Sequence, residues 1–430
     1  MTLPADFTLL QVVPELDTGG AEQTTIDVAH AVVRAGGKAL VATRGGRMAA
    51  RLLADGGRLA EMPVQTKNPL VMLGNAARLV DLIRAEKVSI VHARSRAPAF
   101  SALWAAQATN TPFVATYHGV YKARSRLKRW YNAVMTRGDL VIANSEFTRA
   151  HVLAEHGVAP EKIVSIPRGV DLERFDPGRV RPERVAALRE AWGLAPAPDL
   201  TTFILAARLT RIKGHGPVIE AARRLRAEGV ERFRLILVGD DQGRSAYRAE
   251  LEAQIAEGGL TDAIRLVGHC DDMPAAYLLG NAAILPSIVP ESFGRTAVEP
   301  QVMGRPVLAS DLGGMTETVV PGETGWLIAP GDADAWTIGL RRAIEAGPAR
   351  LAAMGQIAAT RARRLYSVDA MCAATLQAYD RVLEARVDRE SFSIHFGGAP
   401  TEVRRYPISI EWPPAALATQ APVPECRAAV

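Results

Sequence analysis

The sequence predicts an α/β protein made of two doubly wound halves. Three observations carry this. Short β-rich runs alternate with helical stretches along most of the chain, the pattern of strand–helix–strand units. Several of the strands are continuous apolar runs (LLQVV, LVIA, LILV), as expected where both faces of a parallel sheet are covered. A length of 430 residues also exceeds one ordinary domain, so two units of about 180 residues each are the natural division.

The strands of the first half read as Thr8–Val13, Ala39–Thr43, Ser89–Ala93, Phe113–Tyr117, Leu140–Asn144 and Ile163–Pro167. Those of the second half read as Phe203–Ala207, Arg234–Val238, Ile264–Gly268, Ala282–Pro286, Pro306–Ser310 and Gly325–Ile328. Between the halves, Asp171–Pro198 is rich in Pro, Arg and Ala and reads as the linker. The expected division is a first domain over 1–175, a second over 176–366, a helix within 367–386 centred on Val368–Ala385, and a Pro/Ala-rich tail over 387–430. The tail carries two β-like patches, Phe392–Phe396 and Tyr406–Glu411, and is expected to be partly disordered or loosely docked.

Composition is that of a globular protein, 48% apolar and 23% charged. No apolar run reaches the roughly 18 residues a membrane span needs; Ala97–Ala108 reads instead as a buried helix. The N-terminus lacks the basic start of a signal peptide. Cys270, Cys372 and Cys426 match no metal or disulfide spacing. A reducing, cytoplasmic setting is the expectation. The net charge of +5 suits phosphorylated or anionic partners; no nucleic-acid partner is expected.

The chemistry concentrates in residues 290–317, PESFGRTAVEPQVMGRPVLASDLGGMTE. Glu291 lies in a loop and Glu299 on the helix expected to follow and to end near Gly304. A strand and a Gly313-Gly314 turn come next. The start of that helix offers free backbone N–H groups and the positive end of its dipole, which favour an anion. Carboxylates that seek hydroxyls beside amides that seek anions suit a ligand that is part sugar, part phosphate. Upstream, the strand Phe203–Ala207 runs into Arg208-Leu-Thr-Arg-Ile-Lys213-Gly214, which can bring a planar guanidinium and a point ammonium onto one phosphate group. No Asp-x-Asp stands at a suitable strand end; Asp240-Asp241 and Asp271-Asp272 read as caps or loop residues.

These segments resemble the donor site of glycosyltransferase family 4, retaining enzymes of the GT-B fold, and the resemblance covers most of residues 7–386. It implies two Rossmann-like domains facing a central cleft, with a last helix that crosses back to the first domain. It implies donor contacts from Arg208, Lys213, Glu291, Ser292, Phe293, Gly294 and Glu299, with Glu299 on the ribose and Glu291 on the transferred sugar. Gly239, ending LILVG, marks a turn after a strand and is a further candidate, as are Gly19 and Gly20 in PELDTGGAE, which resembles the family's first glycine-rich loop. His118, at the end of Phe113–Tyr117, corresponds to a His that reaches the transferred sugar. His118, Glu291, Arg208 and Lys213 are the expected catalytic set. The resemblance implies a UDP- or GDP-sugar as donor, used without a metal or other cofactor.

On the acceptor side, Arg44 and Arg47 in TRGGR and Arg94 and Arg96 in HARSR are candidates to meet an anionic group. Residues 121–137 form a basic amphipathic stretch, with Leu127, Trp130, Tyr131 and Val134 on one helical face and Lys122, Arg126 and Arg129 on another. Such a helix can lie on an anionic bilayer with Trp130 at headgroup level. The run from HARSR to ANSEFT is similar to that of bacterial members that build lipopolysaccharide core. The expected acceptor is therefore a lipid-linked or lipopolysaccharide-core saccharide at the inner face of the membrane. A sugar-nucleotide epimerase of the same architecture and a non-catalytic sugar-nucleotide-binding protein are the alternatives.

Overall fold

The computed structural model describes residues 3–4, 6–17, 19–121, 123, 125–197, 199–243 and 245–396, with side chains as far as Arg386. Contacts divide the chain into two compact units. One comprises Met1–Ala143, Val152–Gly169 and the chain from Asp369; the other comprises Asn144–His151 and Val170–Val368.

The first unit contains β1 (Thr8–Val12), α1 (Gly20–Arg34), β2 (Lys38–Thr43), α2 (Ala49–Ala54), β3 (Arg58–Glu61), α3 (Pro69–Ala85), β4 (Ile90–Ala93), α4 (Arg96–Ala108), β5 (Phe113–Tyr117), α5 (Arg126–Asn132), β6 (Leu140–Ala143) and β7 (Ile163–Ser165). The helix α6 (Glu146–His156) starts among residues grouped with the second unit and ends among those of the first. All seven strands are parallel, in the order β3-β2-β1-β4-β5-β6-β7. Local chemistry sets the helices. For α3, Asn68 caps the first turn by accepting from the Leu70 N–H at 3.0 Å, Pro69 opens the helix, and Met72, Ala76, Leu79 and Ile83 recur at helical spacing on the buried face. The core packs Leu10, Leu40, Val91, Phe113 and Val141 of the sheet against Met72, Leu79, Ile83, Phe100 and Leu103.

The second unit contains α7 (Pro182–Ala191), β8 (Thr201–Ala206), α8 (His215–Ala227), β9 (Phe233–Val238), α9 (Ser245–Glu257), β10 (Ile264–Gly268), α10 (Met273–Leu279), β11 (Ala282–Leu285), α11 (Arg295–Val302), β12 (Val307–Ser310), α12 (Met315–Thr318), β13 (Gly325–Ile328) and α13 (Ala333–Leu365). Its six strands are again parallel, in the order β10-β9-β8-β11-β12-β13. Both sheets reverse their strand order at the first strand, between β1 and β4 and between β8 and β11. In such sheets the crevice beyond the carboxyl ends of the strands at that point receives the ligand.

Four expectations need correction. The strand β3 was not foreseen: it is a short edge strand of Arg-Leu-Ala-Glu whose side chains are exposed or half-buried, so it carries no apolar run. The expected linker 171–198 is not the boundary. It holds a 3-10 turn at Pro177–Arg179 and the helix α7 and belongs to the second unit, and the chain passes between units at Gly169–Val170 and at Val368–Asp369. The helix α14 (Val368–Phe396) runs through Phe392–Phe396, so that patch is not a strand; a helix already formed extends without a new nucleation cost. The basic stretch gives only the seven-residue α5 and a 3-10 turn, Ala133–Thr136. Tyr406–Glu411, Cys426 and Lys122 lie outside the described residues.

From Asp369 on, α14 is part of the first unit. Tyr379 stacks on Phe7 with ring centroids 6.1 Å apart, and its hydroxyl lies 2.6 Å from Nδ1 of the buried His92. Among the described residues, no helix is long and apolar enough to cross a membrane.

Candidate functional site

In the second unit the candidate residues gather at the carboxyl ends of β8 and β11. After β8 the chain passes Arg208, which is exposed, and makes a 3-10 turn at Arg211–Lys213 closed by Gly214 in the left-handed region (φ 75°). A Cβ at Gly214 would fall 1.8 Å from the Pro286 carbonyl oxygen, so glycine alone lets this loop lie on the end of β11. The Ile288 N–H donates to the Ile212 carbonyl at 2.9 Å and ties the two loops together. That contact brings Lys213 onto Glu291, whose Oε1 accepts from the ammonium and, at 2.9 Å, from the Ser287 hydroxyl. Arg211 is taken up elsewhere, in a two-pronged pair with Glu250 at 2.5 Å.

The Pro-Glu-Ser-Phe-Gly loop is fixed from its other side by Gly313 and Gly314. Gly313 has φ 65°, and a Cβ there would meet the Glu291 carbonyl oxygen at 2.5 Å; one at Gly314 would meet the Phe293 Cα at 2.6 Å. The Gly314 N–H donates to the Glu291 carbonyl at 2.8 Å. The ring of Phe293 is buried edge-on against Tyr366, and the Ser292 carbonyl accepts from the Ser145 hydroxyl. Gly294, at φ 78°, then turns the chain into α11. The loop between Glu291 and the helix start is therefore held by backbone, and the first N–H groups of α11 have no partner within the helix.

Glu299 lies one turn along α11 and is largely buried. Arg295 donates to it at 3.2 Å, and the Tyr277 hydroxyl stands at 3.5 Å, the long limit of a hydrogen bond. Burial holds its carboxyl above the usual range, with Arg295 and Arg174 pulling the other way. Gly239 has a packing reason to be glycine: a Cβ would fall 1.8 Å from the Ala207 carbonyl oxygen. Asp272 caps α10 by accepting from the Ala275 N–H at 3.2 Å and pairs with Arg184, while Asp271 pairs with His269 at 2.9 Å. Among the described residues no three His, Cys, Asp or Glu side chains gather as a metal-holding group.

In the first unit, His118 follows β5 and is joined by a residue the sequence reading missed. Arg168, three positions beyond β7, donates from Nη2 to the His118 Nδ1 at 2.8 Å. Its Nη1 lies against Gly20, where a Cβ would fall 1.8 Å away. The glycine-rich loop, His118 and Arg168 thus form one cluster at the carboxyl ends of β1, β5 and β7. Gly19, at φ 145°, caps α1 beside the Glu22 carboxylate.

The four acceptor-side arginines diverge. Arg94 is corrected: it is buried, donating to Gln11 Oε1 at 2.8 and 2.5 Å and to Thr116 at 3.3 Å, so its charge is spent inside the sheet. Arg96 donates to Asn132 at 2.8 Å and lies 3.8 Å over the Tyr121 ring. Arg44 pairs with Glu15 and, at 3.9 Å, with Asp17; Arg47 is the most exposed and meets Asp17 at 3.9 Å. The expected apolar face of the basic stretch also divides. Val134 and Tyr131 pack inward, whereas Leu127 and Trp130 are 75% and 53% exposed. Arg126 is exposed, and Arg129 pairs with Glu155 at 3.2 Å.

Residues 18–174 match the model of Glycosyltransferase Family 4, and residues 189–361 match that of Glycosyl transferases group 1. A glycosyltransferase from Rickettsia africae ESF-5 is 32% identical, with a TM-score of 0.81 over 88% of this chain and 98% of that one. Anabaena Alr3699/HepE in complex with UDP-glucose is 25% identical, with a TM-score of 0.71 over 86% and 99% of the two chains. Among curated relatives, D-inositol 3-phosphate glycosyltransferase 2 of Catenulispora acidiphila is 33% identical over 260 residues; the match spans 58% of this chain and only 58% of that relative.

Proposed function

Since the chain belongs to glycosyltransferase family 4, on the GT-B fold, we propose that it moves a glycosyl unit from a nucleoside-diphosphate sugar to a hydroxyl of an anionic acceptor. The observation that carries this reading is the meeting of Lys213 and Glu291 at the point where the second sheet reverses its strand order. An ammonium has three donor hydrogens, so Lys213 can keep Glu291 and still take a phosphate oxygen. Arg208, free in solvent at the end of β8, supplies the second cation. Positive charge placed where the leaving diphosphate gains negative charge stabilises the transition state without a metal. Glu291 accepts from hydroxyls of the transferred sugar and Glu299 from those of the ribose.

The reaction retains configuration. The bond from the anomeric carbon to the phosphate oxygen breaks and the bond to the acceptor oxygen forms on the same face. The acceptor proton passes to the departing phosphate. Two acceptor classes have support. Exposed Leu127 and Trp130 beside Arg126 and Lys128 favour a lipid-linked or lipopolysaccharide-core acceptor at an anionic inner-membrane surface. The curated relative named for D-inositol 3-phosphate favours a soluble phosphorylated polyol.

Nucleoside-diphosphate release from UDP-, GDP- and ADP-sugars in the presence of a chelator tests this. We expect release from one donor, dependent on an anionic acceptor, with an axial-retained product and a loss of about 100-fold or more in Lys213→Ala. Release of a free, epimerised sugar without acceptor would make the protein an isomerase, and donor binding with no turnover would make it a binding protein.

A further inference from the structure

We infer that Arg168 is a positioning residue that fixes His118 as a neutral ring protonated on Nε2, a hydrogen-bond donor and not a base. A guanidinium has only donors and does not lose its proton in proteins. The nitrogen that faces it at 2.8 Å, Nδ1, must therefore present a lone pair. A neutral imidazole that accepts at Nδ1 carries its proton on Nε2. In the sheet β6 separates β5 from β7, an interval of about 10 Å that a long side chain crosses.

The tip of the guanidinium also lies against the bare backbone of Gly20. Its Nη1 and Cζ would lie 1.8 and 3.1 Å from a Cβ at Gly20. Gly20 has an ordinary backbone conformation, and a side chain there would displace the guanidinium tip from its present place. The glycine-rich loop thereby acts on His118 through Arg168.

The surroundings agree. Burial is the main influence that keeps His118 neutral, and the positive charges of Arg168, from beyond β7, and Arg94, from the end of β4, add to it. Buried His92 on β4 and Tyr121, three residues beyond His118, also bear on this cluster. A second proton would place a cation against the guanidinium. His118 therefore cannot receive the acceptor's proton. On the glycosyl-transfer reading, on which only this step rests, it donates to an oxygen of the bound donor, and the proton goes to phosphate.

The test uses full-length protein labelled with 15N-histidine, with the His118 signal identified by its loss in His118→Asn. We expect His118 in the wild type to be unprotonated at Nδ1 and to stay neutral well below the ordinary histidine range. Arg168→Met, and independently Gly20→Ala, which puts a methyl where Nη1 sits, should yield mixed tautomers and a higher titration point. Turnover should fall about 10- to 100-fold in both variants, while in Arg168→Met affinity for the free nucleoside diphosphate changes less than about twofold. A wild-type ring protonated on Nδ1, or an unaltered tautomer in both variants, overturns the inference. So does an Arg168→Met loss of nucleotide affinity equal to its loss of turnover, which would make Arg168 a phosphate ligand. The tautomer is read without substrate, so it stands or falls apart from the proposed reaction.

Discussion

At the scale of single residues, the proposed role of Glu299 sets binding against stability. Burial raises its folded-state pKa above the unfolded value. The folded protein then holds this proton more tightly than the unfolded chain does. The contribution to stability is full at low pH and is lost as pH rises through the folded pKa. Glu299→Gln removes the buried charge, so we predict a melting point higher by about 2–4 °C at pH 8 for each kcal/mol recovered, with the gain shrinking on acidification. A gain that ignores pH, or a loss at pH 8, would contradict this account of the carboxylate. Glu291, Glu299 and Lys213 could be named as candidates because each sits in a local pattern of loop, helix start and strand end. Arg168 and Tyr277 could not, because each reaches its partner from a different element and leaves no spacing in the chain. Arg94 was misread for the same reason: the acceptors that bury it, Gln11 and Thr116, come from β1 and β5 on either side of β4.

At the scale of elements, the strands were legible wherever both faces are covered, since an apolar run then marks them. The edge strand β3 lacked that signal. The basic stretch shows the limit of periodicity: its spacing fits a helix, yet α5 stops at Asn132, whose buried side chain accepts from Arg96 and donates to the Tyr121 carbonyl. The long α14 is pinned on the first unit by the Tyr379 hydroxyl on buried His92. Tyr379→Phe leaves that ring nitrogen without this partner, at an expected cost of about 1–3 kcal/mol. Hydrogen exchange should show α14 opening more readily in the variant, with the second unit unaffected. Unchanged protection of α14 would show that apolar packing alone holds it.

At the scale of the whole molecule, the two parallel sheets share one design. Each reverses strand order at its first strand and gathers its polar and glycine residues at the carboxyl ends nearby. That repetition was legible from the alternation of runs. The passage points of the chain were not, because Asp171–Pro198 has the composition of a linker but folds with the second unit. The central claim is that the second sheet's switch point binds a sugar nucleotide through Lys213, Glu291 and Glu299. Thermal melting with UDP-, GDP- and ADP-sugars in chelator tests it most directly. A donor at about 100 times its dissociation constant should add about 2.7 kcal/mol of stability to the wild type, and Glu299→Ala should abolish most of that gain. No shift with any sugar nucleotide, or an equal shift in the variant, would contradict it.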